Sequence, residues 1–299
     1  MERAMQGVPR WRAWLMAARP RTLPAAVSPV LVGIALSVAD GMLKAVPALA
    51  ALAGALLIQI GANLANDYYD FVRGTDSEGR KGPVRVAQSG LIPLPQLRLA
   101  IALIFGLAAL VGLYLVWVGG WPILVLGLAS IASALAYTAG PYPLGYHGLG
   151  DLFVFLFFGL GAVGGTYYVQ ALALTSRVGV AAVPVGALTV AILVVNNLRD
   201  IDTDRQGNKR TLATLLGETG SRLEYVLLLG TAYTVPALMW LFGATSAWVL
   251  LSWLTLPQSV RLIRAIYSGT DGPRLNMALA GTANLDLVFS LLFALGLLL

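Results

Sequence analysis

The sequence predicts an all-α membrane protein whose apolar helices cross the bilayer several times. Of its 299 residues, 58% are hydrophobic and only 11% are charged, whereas a soluble domain usually carries about 25% charged residues. Apolar runs of about 20 residues recur along the chain, and each is long enough to cross a bilayer as a helix. A soluble helical protein is a poor alternative, because too little polar sequence remains to cover its surface.

Nine spans are predicted from these runs, with glycine and proline pairs such as Gly119-Gly120 and Gly140-Pro141 between neighbours. We place them at 22–42, 46–66, 96–116, 121–138, 151–172, 178–197, 222–243, 246–263 and 277–299. The whole chain, 1–299, is treated as one domain. It begins with an interfacial amphipathic segment at 1–21 and contains two long loops at 67–95 and 198–221.

The basic residues predict the orientation of the spans. With the N-terminus inside, 18 of the 20 lysines and arginines fall on the inner side, and only Lys44 and Arg177 fall outside. The positive-inside rule therefore predicts a cytoplasmic N-terminus, two cytoplasmic long loops and an external C-terminus in the cytoplasmic membrane. Because topology accounts for the net charge of +6, no nucleic-acid partner is expected. The sequence carries no signal for an oligomeric state.

Two polar motifs stand where apolar runs end: "NLANDYYDFVRGTD" at 63–76 and "NNLRDIDTDRQGNKRTLA" at 196–213. In the first, Asn63, Asp67 and Asp70 are spaced to share one helix face. The second repeats this with Asn197, Asp200 and Asp204. Stacked carboxylates repel one another, and the carboxyl end of a helix disfavours anions. A divalent cation would offset both penalties.

The ligands available in the motifs are oxygens, since the chain has no cysteine and only one histidine. This donor set selects Mg²⁺, with Mn²⁺ or Ca²⁺ as alternatives. Two facing clusters could each hold a metal, with a diphosphate bridging them. Basic residues that could neutralise the diphosphate follow both motifs: Arg73, Lys81, Arg85, Arg205, Lys209 and Arg210. One such cluster alone would be typical of a solvated loop, and it is the double occurrence that favours a site.

A diphosphate bound inside a membrane protein indicates a lipid diphosphate, whose tail the apolar spans would surround. If the tail is allylic, loss of pyrophosphate leaves a carbocation, which the protein must shield from water and can stabilise with aromatic faces. Tyr68 and Tyr69 are candidates for this role because they lie in the first motif, and the others are Tyr137, Tyr142, Tyr146, Tyr167 and Tyr168. Of these, Tyr68 and Tyr137 are preferred. Most of the other tyrosines are expected to be interfacial or packing residues.

Together these motifs make the chain resemble the UbiA superfamily of intramembrane aromatic prenyltransferases, over nearly its whole length. Within that superfamily it is most similar to the 1,4-dihydroxy-2-naphthoate branch, which "ARPRTLPAAVSPVLVG" at 18–33 also resembles. The resemblance implies nine helices around a central cavity, with both motifs at its cytoplasmic end. It also implies Mg²⁺-dependent transfer of a polyprenyl chain to 1,4-dihydroxy-2-naphthoate, with decarboxylation, giving demethylmenaquinone.

The same resemblance implies particular site residues. The ligand positions correspond to Asn66, Asp67, Asp70, Asn197, Asp200 and Asp204. The wider superfamily has a further Asp four residues after position 70, where this chain has Gly74. Asp76 stands two residues further on, so Asp76 either replaces that ligand or shapes the loop. Lys81, Arg85, Lys209 and Arg210 fall where the family holds diphosphate. Arg19 or Arg21 is the candidate partner of the acceptor carboxylate, although membrane anchoring is the favoured explanation of both.

Three alternatives remain open. The acceptor could be another ring, such as 4-hydroxybenzoate, homogentisate or a porphyrin-type ring. A CDP-alcohol phosphotransferase is also polytopic and Mg²⁺-dependent, but its acids lie in one continuous run, whereas these are about 130 residues apart. An ion-coupled secondary transporter would be expected to place its acids near the bilayer midplane, whereas these lie at helix ends.

Overall fold

The computed structural model shows a helical protein and describes residues 8–75, 82, 84–269 and 271–299. Within these ranges the chain forms helices joined by short loops, and an isolated parallel bridge between His147 and Arg210 is its only extended pairing. The all-α prediction is therefore confirmed.

The N-terminal half contains five helices. A short 3₁₀ turn, Pro20–Thr22, joins the first two, and Gly120, with a φ of 73°, separates the last two. The helices are α1 (Arg10–Ala18), α2 (Pro24–Ala39), α3 (Ala45–Val72), α4 (Leu94–Gly119) and α5 (Trp121–Ala136).

The C-terminal half contains six more helices in the described ranges. They are α6 (Gly150–Ala171), α7 (Ser176–Arg199), α8 (Ile201–Gln206), α9 (Leu212–Leu241), α10 (Leu256–Tyr267) and α11 (Gly272–Leu298). A 3₁₀ segment, Ala247–Thr255, precedes α10, and residues Phe155–Gly161 of α6 are wound as a π-helix. Side chains that accept hydrogen bonds from free backbone N–H groups begin three of these helices: Thr175 for α7, Thr211 for α9 and Asp271 for α11.

Six of the described helices are long and apolar enough to cross a membrane: α3, α4, α6, α7, α9 and α11. The bent pair Arg10–Thr22 and Pro24–Ala39, with 51° between its parts, raises the number to seven. The predicted count of nine is not confirmed. Helix α5 has only 16 residues, and the eighth predicted span, 246–263, is a 3₁₀ segment followed by the amphipathic α10 with exposed Arg261 and Arg264.

The two segments predicted as long loops are partly helical. Helix α3 continues to Val72, so it carries most of the first motif, and α8 together with the start of α9 lies inside 198–221. The predicted interfacial segment contains α1. Its Ala13 and Ala17 are buried, whereas its Trp11 is exposed, as expected for an amphipathic helix.

Helix α7 is the most buried of the candidate spans and packs against α6, α9 and α11. It crosses α6 at two glycines, because a Cβ on Gly186 would lie 3.0 Å from the Cα of Gly159. Helices α2 to α7 surround a cavity of about 480 Å³. The cavity is lined mainly by apolar side chains along its length, and the two polar motifs contribute to its wall.

Candidate active site

Both motifs reach the same cavity. Its wall includes seven residues that were selected from the sequence: Arg19, Asn66, Asp70, Arg85, Tyr137, Asn197 and Lys209. The rest of the lining is largely aliphatic and aromatic, for example Ile58, Leu115, Ile131, Phe157 and Ile192. The site is therefore a polar cluster in an otherwise apolar chamber, an arrangement suited to a ligand with a charged head and a hydrocarbon tail.

The first motif projects from the last turns of α3. Gln59, Asn63, Asn66 and Asp70 line the cavity, since residues three and four apart share one helix face. Asp67 does not line it. Its carboxylate accepts hydrogen bonds from the backbone N–H groups of the segment after the helix, at 3.1 Å from Val86 N and 3.4 Å from Ala87 N. In this structure Asp67 thus holds the segment that carries Arg85.

Asp70 is contacted from two directions. Arg85 Nη2 lies 2.9 Å from its Oδ2, and the Tyr146 hydroxyl donates to its Oδ1 over 2.8 Å. Both side chains of the Arg85–Asp70 ion pair are at most 6% exposed. Beside them, the Asn66 amide oxygen accepts a 3.0 Å hydrogen bond from the Thr138 hydroxyl. These contacts fix the orientation of the oxygen donors of the first motif.

The second motif covers the end of α7 and the short α8. Asn197 lines the cavity. Asp200, at the end of α7, is paired in a fork with Arg199, at 2.9 Å from Nε and 2.6 Å from Nη2. Asp204 lies one turn further, with its Oδ1 3.8 Å from Lys209 Nζ. Each motif therefore pairs a buried aspartate with a buried arginine.

Tyr146, one of the tyrosines considered as aromatic candidates, is a site residue whose contact with Asp70 the sequence did not predict. It follows Asp70 by 76 residues and belongs to a 3₁₀ turn, Leu144–Tyr146, between α5 and α6. Burial and the Asp70 carboxylate raise the pKa of Tyr146 above its ordinary value, so its hydroxyl remains protonated and donates. In the "GPYPLGYHGLG" loop, no sequence feature distinguishes Tyr146 from its neighbour Tyr142.

The remaining predicted residues lie elsewhere. Arg73 is exposed and donates to the Gly140 carbonyl oxygen, and the backbone N–H of exposed Arg210 donates to the Tyr146 carbonyl oxygen over 3.2 Å. Arg21 is exposed and does not line the cavity, and Tyr68 packs edge-to-face on Tyr69 at 5.0 Å, also outside the lining. Asp76 and Lys81 lie outside the described residues.

Tyr137 is the tyrosine that lines the cavity between the motifs. The same cavity wall includes Asp70 of the first motif and Asn197 of the second. The Tyr137 ring packs against Gly145, where a Cβ would lie 2.7 Å from Tyr137 Cε1. Its position suits an aromatic face next to the charged end of a ligand.

The donor set fits Mg²⁺. Among the described residues no group of three or more acids or histidines is arranged to hold a metal. Mg²⁺ does not require such a group, because it usually takes one or two carboxylates and fills its other positions with water and substrate phosphate oxygens. Carboxylate and amide oxygens at Asn66, Asp70 and Asn197, with Asp200 and Asp204 nearby in the chain, match that preference.

Fold and site define a polytopic membrane protein with one oxygen-rich, cation-bearing end in an apolar chamber. The chain belongs to the UbiA prenyltransferase family, whose profile matches residues 26–280. It is therefore an enzyme, a prenyltransferase.

Curated relatives are similar over almost their full length. The chain is 39% identical to the 1,4-dihydroxy-2-naphthoate octaprenyltransferase of Escherichia coli (strain K12), covering 98% of this chain and 97% of that one. It is 41% identical to the protein of the same name from Mycobacterium tuberculosis, covering 94% and 95%.

Solved structures share the fold. A UbiA homolog from Archaeoglobus fulgidus bound to DMAPP and Mg²⁺ superposes with a TM-score of 0.68 at 15% identity, over 95% of this chain and 98% of that one. The apo structure of a UbiA homolog from Aeropyrum pernix K1 gives 0.66 at 16% identity, over 97% and 98%. At these identities the likeness establishes the fold alone.

Proposed function

We propose that this enzyme transfers a polyprenyl group from an allylic polyprenyl diphosphate to 1,4-dihydroxy-2-naphthoate, with Mg²⁺ as cofactor. The observation that carries the substrate assignment is the identity of 39–41% to 1,4-dihydroxy-2-naphthoate octaprenyltransferases over at least 94% of each chain. The cavity supports it, because it joins a polar cluster to a long apolar wall.

The proposed reaction breaks the C–O bond between the allylic carbon and the diphosphate, and pyrophosphate leaves with the bonding electrons. The ring carbon that bears the carboxylate forms the new C–C bond, and the carboxylate leaves as carbon dioxide. The product is the quinol of demethylmenaquinone, which later oxidation converts to the quinone. This balance requires no oxidant or reductant in the transfer step.

The charged end of the donor would lie between the two motifs. Mg²⁺, or Mn²⁺ in its place, would neutralise charge on the diphosphate. The residues that would hold the metal are Asn66, Asp70, Asn197, Asp200 and Asp204. Asp76 is a further candidate ligand.

The cations of both motifs would complete the diphosphate site. Arg85 and Lys209 line the cavity, and Arg73, Lys81 and Arg210 are the outer candidates. Arg85 pairs with Asp70 at 2.9 Å, so it stands beside a residue that would hold the metal.

The hydrocarbon tail and the developing allylic cation would occupy the apolar chamber. Tyr137 lines it beside the motifs and offers an aromatic face to the cation. Tyr68 does not line the chamber in this structure, so it is the weaker of the two candidates. Exclusion of water by the surrounding side chains would protect the cation from hydrolysis.

Arg19 is the proposed partner of the acceptor carboxylate. It lines the cavity, whereas Arg21 is exposed outside it. We expect Arg19→Gln to raise the KM for 1,4-dihydroxy-2-naphthoate roughly tenfold or more, because a hydrogen bond between charged partners is lost. Arg21→Gln, which removes the same charge from the exposed neighbour, serves as the control and leaves that KM unchanged. Equal effects of both changes would assign Arg19 to anchoring.

The orientation belongs to the same proposal. We infer nine membrane crossings in the cytoplasmic membrane, with the N-terminus and both motifs on the cytoplasmic side and the C-terminus outside. The charge distribution, 18 basic residues against two, supports this arrangement.

A direct assay tests the function. Purified protein receives an allylic polyprenyl diphosphate and one of three acceptors, 1,4-dihydroxy-2-naphthoate, 4-hydroxybenzoate or homogentisate, with Mg²⁺ or with EDTA. We expect prenylated naphthoquinol and carbon dioxide only with the naphthoate and Mg²⁺. Preference for another ring would overturn the acceptor assignment. Ion-coupled uptake into proteoliposomes without any prenyl transfer would favour a transporter instead.

A further inference from the structure

The turn that carries Tyr146 contacts both motifs, although it belongs to neither. The Tyr146 hydroxyl donates to Asp70 Oδ1 over 2.8 Å and lies 2.8 Å from the Thr75 hydroxyl. Thr75 in turn lies 3.0 Å from the backbone oxygen of Asp70. Tyr146 is 9% exposed, so these bonds form in a largely dry environment, where a hydrogen bond to a carboxylate is strong.

The ring of Tyr146 contacts two cations, one from each motif. Arg73 Cζ lies 5.5 Å from the ring centroid and Lys209 Nζ lies 5.3 Å from it. Both distances are within the range of a cation–π interaction. The ring therefore contacts one positive charge from each motif.

The backbone completes the connection to the second motif. The Tyr146 carbonyl oxygen accepts from Arg210 N at 3.2 Å, and His147 forms a parallel bridge with Arg210. One residue thus contacts a proposed metal ligand, two proposed diphosphate cations and the backbone of a third.

We propose that Tyr146 is a positioning residue that aligns the two motifs for a single diphosphate. This proposal rests on the proposed function. Its hydroxyl orients Asp70, a proposed metal ligand, and its ring anchors Lys209 in the cavity wall and Arg73 at the outer edge of the site. The diphosphate then meets cations from both motifs without a separate ordering step, which is the benefit of preorganisation.

Two substitutions separate these roles. Tyr146→Phe removes the hydrogen bond to Asp70 and keeps the ring, whereas Tyr146→Leu removes both. Tyr142→Phe is the matched control, since it deletes a hydroxyl from another tyrosine of the same loop. Tyr142 is exposed, and its ring stacks on the His147 ring with 3.5 Å between centroids. Thermal unfolding of each purified variant confirms that it is folded.

Calorimetry with inorganic pyrophosphate, in EDTA and at several fixed Mn²⁺ concentrations, supplies a readout that needs no turnover. We expect Tyr146→Phe to reduce the Mn²⁺-dependent gain in pyrophosphate affinity roughly tenfold, because a hydrogen bond to a charged group is lost. The metal-free affinity of this variant should stay unchanged. Tyr146→Leu should also weaken the metal-free affinity roughly tenfold, because two cation–π contacts are lost.

The outcomes distinguish a failure of the proposed function from a failure of the positioning role of Tyr146. If the unsubstituted protein binds no pyrophosphate under any condition, the proposed function fails. If it binds and Tyr146→Phe binds equally well, or if Tyr142→Phe loses as much as Tyr146→Phe, the positioning role of Tyr146 is wrong and the proposed function stands.

Discussion

Asp67 is the motif residue whose contacts in the structure differ most from the role that the family resemblance implies. The resemblance to the family places it among the metal ligands, whereas in the structure its carboxylate accepts from Val86 N and Ala87 N. Val86 is fully buried and Ala87 is 5% exposed, so neither N–H group can turn to water instead. An unpaired buried donor costs about 1–3 kcal/mol. Asp67→Ala should therefore cost about 2–6 kcal/mol in the free energy of unfolding.

Asp67→Asn is the more informative change. The amide oxygen can still accept one of the two hydrogen bonds, so we expect about half of that loss, roughly 1–3 kcal/mol. Thermal unfolding in detergent should show a lower midpoint, and limited proteolysis should cut near residue 86 faster. The Mg²⁺ concentration for half-maximal prenyl transfer should stay close to that of the unsubstituted protein, since Asp67 does not line the cavity.

The opposite pattern would refute this reasoning. A metal ligand at position 67 would make Asp67→Asn raise the Mg²⁺ requirement while thermal stability stayed the same. The assay therefore decides between the structural role and the role that the family resemblance implies.

Three further outcomes are expected. A double variant with Thr75→Cys and Gly207→Cys should form a disulfide on oxidation, because the Thr75 Cβ lies 3.6 Å from a Cβ built on Gly207. The chain has no other cysteine to compete. Failure to form the disulfide would mean that the two motif loops do not meet. Gly186→Val should lower stability by about 1–3 kcal/mol through overpacking, whereas Gly179→Val on the same helix, with nothing within 4 Å, should not. If both valines cost the same, the close crossing at Gly159 is not what requires glycine. EDTA should stop prenyl transfer without unfolding the protein, and added Mg²⁺ should restore it, whereas activity that persists in EDTA would contradict the metal requirement.

Local sequence patterns predicted most helices well, because the length of an apolar run and the glycines and prolines that end it can both be read from the sequence. They were less reliable where tertiary structure decides the outcome. The run ending at residue 66 continues as helix to Val72, since Asp67 and Asp70 find partners in the segment after the helix rather than in water. The predicted span 246–263 is interrupted because its first part is 3₁₀ and its second part carries Arg261 and Arg264 on an exposed face.

The same limit applies to individual side chains of the site. Spacing placed Asn63, Asp67 and Asp70 on one face, but a face of three residues is wide. At 100° per residue, Asp67 stands about 60° from Asp70, enough for it to reach Val86 instead of the cavity. Tyr146 was one of seven candidate tyrosines, but its contact with Asp70 could not be predicted, because it joins residues 76 positions apart and only the packing of the loop after α5 creates it.

The central claim is that both motifs serve one diphosphate. Binding of geranylgeranyl diphosphate to the purified protein with Mg²⁺, and without acceptor so that no transfer follows, tests it most directly. We predict one bound diphosphate per chain, and a large loss of affinity on either Asp70→Asn or Asp200→Asn, with little further loss in the double variant. Two bound diphosphates per chain, each abolished by only one of the substitutions, would contradict the claim.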